Sequence, residues 1–258
     1  MIRTGRAELA ELWRRLGIRP GMIVLCHSFL GALGRVEGGA DAVIDSILDV
    51  VGPDGTLVIP AFTYSFFKGE TFDVEVTRST VGVLGDVLRR RPGVMRSLDP
   101  NFSNVAIGRQ AASLMHRSSN ASFGADSFYD RLLRQDGQIL LIGVDYTALP
   151  LFMHLEWRLK VPYRYEKSFE GSIRVGSEER RDTAVHFVRD EQTDPQTDRR
   201  RIGAVIDEDD AVQQADCAYG VVRSLPASAV ERVVSREFRR DPLFLLRADR
   251  PFLARSDS

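Results

Sequence analysis

The chain has 258 residues, 43% hydrophobic and 28% charged, enough for one large core or two joined halves, which excludes disordered and collagen-like classes. Thirty-five basic residues against 36 acidic ones give a formal charge of −1, so no global field is available to hold nucleic acid or an anionic membrane. Cys26 and Cys217 are the only cysteines and lie far apart, the N-terminus lacks the apolar core of a signal peptide, and no run approaches a membrane span. A soluble, cytoplasmic protein is expected.

Met1–Leu16 alternates charged and apolar residues like an amphipathic helix, Leu9–Leu16 reads as helical, Met22–His27 as a strand, Ala40–Val51 as a helix and Thr56–Phe62 as a second strand. Gly52 Pro53 Asp54 Gly55 supplies the turn before that strand. Two apolar strands joined through one helix predict a parallel pair with a right-handed crossover, and ligands of such sheets collect outside the carboxyl ends of the strands. The run His27 Ser28 Phe29 Leu30 Gly31 Ala32 Leu33 Gly34 stands at one such end, and Thr63 Tyr64 Ser65 at the other. Glycines three apart after a strand fit a cradle in which backbone N–H groups approach a diphosphate, and they fit a plain tight turn equally well.

Further along, Val81–Arg90, Gln110–Met115 and Ser127–Gln135 read as helices, Asn104–Ile107 as a short strand, and the apolar run Gln138–Val144 as another central strand delivering Asp145 and Tyr146 at its carboxyl end. From Lys167 the texture changes: Ser168–Val175 and Thr183–Arg189 alternate like antiparallel strands, while Asp190–Arg201 is polar and reads as a long loop. The expected fold class is α/β, a three-layer α/β/α core with a mixed sheet and a smaller antiparallel β extension in the C-terminal part. One domain is expected, with residues 1–166 as core and 167–258 as the part that completes it. The basic runs at Arg89–Arg91 and Arg199–Arg201 are explained by solvated helix ends or loops.

Of the four histidines, His154 is distinctive because it sits among large apolar residues in Leu151–Arg158, shortly after the strand end that carries Asp145. Burial and a carboxylate partner tune an imidazole for proton transfer, although an interior histidine is also an ordinary structural residue. On a helix Glu156 points about 200° away from His154, so an orienting acid would come from Asp145 or Asp99. The sequence has no CxxC pair, HExxH, GxSxG elbow or GxxxxGK[ST] run, which removes local zinc motifs, the α/β-hydrolase serine and P-loop chemistry. No metal is expected.

An ordered series of motifs carries a family resemblance: HSFLGALGRVEGGADAVIDSILDVVGPDGTLVIPAFT from His27, TFD at Thr71–Asp73, TRSTVG at Thr77–Gly82, RRRPGVMRSLDPNFSNVAIG at Arg89–Gly108, FGADS at Phe123–Ser127 and HLE at His154–Glu156. Together they resemble the aminoglycoside 3-N-acetyltransferase family from about Arg14 to about Phe244, with RDPLFLL at Arg240–Leu246 as its usual ending. The resemblance implies acetyl-CoA as co-substrate and transfer of acetyl to an amine of an amino sugar. It implies that Ser28, Phe29, Leu30, Gly31 and Gly34, with Thr63, Thr77, Ser79 and Gly82, hold CoA, and that Ser103, Phe123 and Gly124 line the donor channel. It implies His154 as general base, with Glu156 as a nearby acid; Asp145 remains a candidate orienting acid, and Tyr64, Asp99, Tyr146 and Trp157 are candidates for the acceptor side. A histidine titrates in the range needed to take a proton from an amine.

The chain departs from drug-modifying members at Phe29, where they carry a second serine, at Asp99, where they carry a histidine, and at Ala148 Leu149 Pro150, where they carry an Asn-Thr pair. The VPYRYEKSF stretch resembles members associated with surface-polysaccharide synthesis, so the acceptor is open between an aminoglycoside, a glycan precursor and another small amine or hydroxyl compound. A nonenzymatic CoA-binding protein of the same fold is the third class, and a homodimer is left open.

Overall fold

In a computed structural model of the chain, residues 3–190 and 196–247 are described. The elements are β1 (Arg3–Thr4), α1 (Arg6–Arg15), β2 (Ile23–Ser28), β3 (Arg35–Val36), α2 (Gly39–Val51), β4 (Thr56–Pro60), β5 (Phe72–Asp73), α3 (Leu84–Leu88), β6 (Met95–Arg96) and β7 (Asn104–Gly108). They continue with α4 (Ala111–Met115), α5 (Phe128–Arg134), β8 (Gln138–Ile142), α6 (Leu151–Arg158), β9 (Arg164–Val175), β10 (Glu178–Arg189), α7 (Arg199–Asp207), β11 (Gln213–Cys217), β12 (Gly220–Pro226) and α8 (Ala227–Arg240).

Seven strands form one mixed sheet in the order β11-β12-β8-β2-β4-β7-β6. At its centre β2 runs parallel to β4, with Ile23 opposite Thr56, and parallel to β8, with Cys26 opposite Leu140. β7 and β12 flank this trio antiparallel. Alternate residues of the central strands serve opposite faces. Val24, Cys26, Leu57, Ile59, Leu140 and Ile142 pack under α1, α2 and α3. Ile23, Leu25, Val58, Ile139 and Leu141 pack under the layer built from α4, α5, α6, α7 and α8. Burial on both faces is why these strands are continuous apolar runs, with no polar side to alternate. Leu25 has no exposed surface, and its truncation to alanine would cost about 2–5 kcal/mol.

The three-layer α/β/α architecture agrees with the expected fold class. Within the C-terminal part only the β9–β10 hairpin stands apart; it pairs β5 in a separate three-stranded sheet, with Phe72 opposite Ile173. β12 instead joins the main sheet beside β8, and α8 supplies Val230, Val233 and Val234 to the main core. Part of the expected loop Asp190–Arg201 is helical, since α7 begins at Arg199 with Asp198 accepting a hydrogen bond from the Arg200 N–H; residues 191–195 of that stretch lie outside the described residues, as do residues 248–258. Among the described residues no helix is long and apolar enough to cross a membrane.

Candidate active site

The parallel trio β2, β4 and β8 ends on one edge of the sheet, and there a cavity of about 460 Å³ opens among the loops that follow the strands. Its wall includes His27 and Ser28 from β2, Phe62 and Tyr64 after β4, Gly82 and Gly85 around the start of α3, Phe102, Val144, Thr147, Met153 from α6 and Arg199 from α7. The volume lies within the roughly 300–1,000 Å³ usual for small-molecule sites. α3 can approach this edge because residue 85 is glycine: a Cβ there would stand 2.4 Å from the Pro60 carbonyl oxygen. Tyr64 holds φ at +56°, a left-handed conformation uncommon for an aromatic residue, and its ring stacks on Phe67 at 6.2 Å.

His27 is the imidazole of this cavity. It is buried, meets the Phe62 ring edge-on at 6.4 Å, and among the described residues its Nε2 has no hydrogen-bond partner. Burial pushes its pKa down to about 3, so the ring is neutral at any physiological pH. The neighbouring Cys26 thiol is pushed up to about 12 by burial and stays protonated.

The cavity wall contains one cationic side chain and, among the described residues, no carboxylate. That cation is Arg199. Its Nη1 donates to the backbone carbonyls of Thr147 and Leu149 at 3.3 and 3.4 Å, and its guanidinium lies over the Phe152 ring at 5.4 Å. Glu156, fully enclosed, accepts from the Tyr163 hydroxyl at 3.1 Å and stands 2.8 Å from Arg164 Nε. Glu156 thus neutralises an arginine beneath the site, and it does not line the cavity.

His154 has no exposed surface and packs toward α5. Its Nδ1 accepts from the Gly124 N–H at 3.3 Å, with the Ser127 hydroxyl at 3.5 Å, so the proton sits on Nε2, which faces Asp130 Oδ1 at 3.9 Å. Trp157 stacks on the ring at 6.2 Å, and burial pushes the imidazole down to about 4, against the raising influence of Asp130. His154, which the resemblance implies as general base, is enclosed in this structure, and the α6 residue whose side chain meets the cavity is Met153, one position earlier. The acid beside His154 is Asp130. Asp145 instead caps the turn at Thr147 and approaches Arg200 at 3.7 Å on the surface.

Of the residues expected to bind CoA or acceptor, Ser28, Gly82 and Tyr64 line the cavity. The others have protein partners elsewhere. Thr63 donates to the Pro100 carbonyl at 2.5 Å and Ser103 to that of Ala61 at 2.6 Å, both fully enclosed. The Thr77 hydroxyl accepts from the Asp73 N–H, and that of Ser79 donates to the Val81 carbonyl. Phe123 packs between Phe102 and Tyr129. Asp99 braces its own loop through the Asn101 and Phe102 N–H groups and the Ser122 hydroxyl. Tyr146 donates to Asp207 and Trp157 to Glu166. Phe29 is exposed, and its ring fills the space above Gly31, while Leu30 packs at the margin of the α1–α2 core. Gly34 has φ +72°, and a Cβ there would stand 2.9 Å from Ala218 Cβ, so that position is occupied by packing.

Most of the cavity wall lies outside the expected site residues, including Met153, Arg199 and His27. Arg199 had a signal, since Arg199, Ile202, Gly203 and Ile206 repeat at helical spacing and the last three are buried, which turns Arg199 inward and Arg200 out.

Residues 25–239 match the family described as aminoglycoside 3-N-acetyltransferase. Aminoglycoside N(3)-acetyltransferase III of Pseudomonas aeruginosa is 30% identical over 177 residues, 61% of this chain and 65% of that protein. The SPbeta prophage-derived aminoglycoside N(3')-acetyltransferase-like protein YokD of Bacillus subtilis is 29% identical, over 62% of this chain and 66% of its own length. The chain therefore spans just under two thirds of the length of these curated relatives. Among solved structures, aminoglycoside acetyltransferase AAC(3)-Xa superposes with a TM-score of 0.81 at 25% identity, covering 92% of this chain and 93% of that one. AAC-IIIb, solved as a binary complex with CoASH, has the same fold at a TM-score of 0.81 and 22% identity, over 93% and 98% of the two chains. With the match running from β2 through α8, the chain belongs to the aminoglycoside 3-N-acetyltransferase family.

Proposed function

We propose that this chain transfers the acetyl group of acetyl-CoA to an amino group of a small amino-sugar acceptor bound in the cavity at the carboxyl edge of the sheet. The observation that carries the reading is the family match over residues 25–239, which takes in that edge and the loops around it. The amine lone pair attacks the thioester carbonyl, the C–N bond forms as the C–S bond breaks, and one N–H proton ends on the CoA sulfur. Ser28 and Gly82 are the donor-side contacts of the wall.

His27 Nε2, unpartnered and neutral, accepts a hydrogen bond from the attacking amine and aims its lone pair at the carbonyl. Tyr64, whose phenol is raised by burial, remains a protonated donor on the same wall. His154, the general base that the resemblance implies, lies on α6 beside Asp130, enclosed and accepting from the Gly124 N–H. Two free cysteines suit a reducing, cytoplasmic setting.

Thiol release from acetyl-CoA, measured across a panel of amino sugars and aminoglycosides with CoA binding followed by calorimetry, tests the reading. Amine-dependent thiol release with an acetylated product by mass supports it. CoA binding without any acceptor-dependent release indicates a nonenzymatic CoA-binding protein, and no binding at millimolar CoA removes both.

A further inference from the structure

We propose that the acceptor carries an anionic group, a phosphate or carboxylate, which Arg199 holds in the cavity; the inference rests on the acetyl-transfer reading above and adds the charge class of the acceptor.

A guanidinium has five N–H donors, and Arg199 uses only Nη1, in two long bonds to carbonyl oxygens. Among the described residues Nε has no hydrogen-bond partner and Nη2 makes no hydrogen bond. The carboxylate whose field acts on it, Glu156, is already at 2.8 Å from Arg164. Among the described residues two guanidiniums therefore share one carboxylate, and the positive charge left over borders the cavity. A partly buried guanidinium whose Nε and Nη2 lack acceptors is costly, and a bound oxyanion supplies the missing acceptors with the bidentate geometry that arginine favours.

The rest of the wall agrees. It offers no carboxylate to a polycation, and its other polar groups, His27, Ser28, Tyr64 and Thr147, are neutral hydroxyl or imidazole groups suited to sugar hydroxyls. A polycationic aminoglycoside would meet Arg199 as a like charge. α7 is set to present this residue: Asp198 caps the helix, Ile202 and Ile206 anchor its inner face, and Gly203 lets it lie against the Tyr146 ring, where a Cβ would stand at 2.7 Å.

The anion could come from the acceptor or from the phosphates of CoA, and one set of measurements separates them. Glucosamine, glucosamine 6-phosphate and the polycation gentamicin serve as acceptors at saturating acetyl-CoA, with wild type, Arg199→Gln and Arg199→Lys. The expected result is a KM for glucosamine 6-phosphate about tenfold below that for glucosamine, a gap that Arg199→Gln closes with kcat changed about twofold or less and Arg199→Lys partly keeps. CoA affinity stays the same in both variants. A KM indifferent to the phosphate, or a preference for gentamicin that Arg199→Gln leaves intact, overturns the inference while acetyl transfer stands. A loss of CoA affinity in Arg199→Gln assigns the anion to the donor and overturns it also. Should no amine be acetylated, the transfer reading fails, and calorimetry of inorganic phosphate and glucosamine 6-phosphate decides Arg199 alone: binding lost in Arg199→Gln supports the anion site, and binding unchanged removes it. Arg199→Lys, which keeps the charge, covers the case in which Arg199→Gln does not fold.

Discussion

Met153 and His154 are successive residues of α6, and only Met153 presents its side chain to the cavity, while His154 is sealed against α5 beside Asp130. Substitutions at His154 and at His27 therefore test which imidazole serves the transfer. His154→Gln should leave kcat within about threefold of wild type, whereas His27→Ala should lower it about 10²-fold through loss of the hydrogen bond that orients the amine. Met153→His should add a titrating base to the wall and give the pH–rate profile a new limb near the ordinary histidine value of about 6.5. Loss of activity in a folded His154→Gln enzyme, with His27→Ala unaffected, would reverse the assignment.

Much of the fold was legible because its strands are buried on both faces: Met22–His27, Thr56–Phe62 and Gln138–Val144 are apolar runs that local propensity and tertiary packing both favour. The cavity was legible only as a place, the carboxyl edge of the parallel strands. Its side chains were not, since the helical period sets which residues share a face but not which face meets the site. The neighbours of α6 decide that: α5 closes over His154, and the ends of β2 and β8 leave Met153 toward the opening. Arg199 was obscured by Arg200 and Arg201, which make the start of α7 resemble solvated surface. Ser103 and Thr63, expected at the donor site, are hydroxyls whose nearest carbonyls lie in loops distant in sequence, at Ala61 and Pro100, a pairing no local pattern encodes.

Acid should unfold the protein through its buried histidines. His27 and His154 are lowered by burial to about 3 and about 4, below the ordinary value of 6.5. Between the folded and unfolded values the unfolded chain binds more protons, so this stability is complete above about pH 6.5 and is lost as pH falls toward 4 and 3. Urea unfolding at pH 7 and pH 5 should show a loss of roughly 2 kcal/mol attributable to His154, at about 1.4 kcal/mol per pH unit, and His154→Gln should flatten that part of the slope. An equal slope in wild type and variant would show that His154 is accessible to protons in the folded state.

The Glu156 carboxylate should matter for stability far more than the Asp145 carboxylate. Glu156 is fully enclosed against Arg164, itself 6% exposed, so Glu156→Gln strands two guanidiniums and should cost about 3–5 kcal/mol. Asp145 is 45% exposed and faces Arg200 at 3.7 Å, and Asp145→Asn should cost under about 1 kcal/mol. Denaturant midpoints of the two variants test the order. Equal losses would mean that the buried pair is compensated by water or by rearrangement of Arg164.

At Gly34 a pair of substitutions distinguishes a packed turn from a CoA cradle. The φ of +72° and the 2.9 Å that would separate an added Cβ from Ala218 Cβ both resist a side chain. Gly34→Ala should therefore destabilise the protein by about 1–3 kcal/mol through overpacking and backbone strain. Adding Ala218→Gly removes the steric part and leaves the conformational part, so stability should recover by about half, a coupling that a double-mutant cycle measures directly. If the turn is held by packing, CoA affinity of the double variant stays within about twofold of wild type once the folded fraction is accounted for. If backbone N–H groups of this turn contact the CoA phosphates, affinity stays reduced in the double variant as well, because the added Cβ still stands between backbone and ligand.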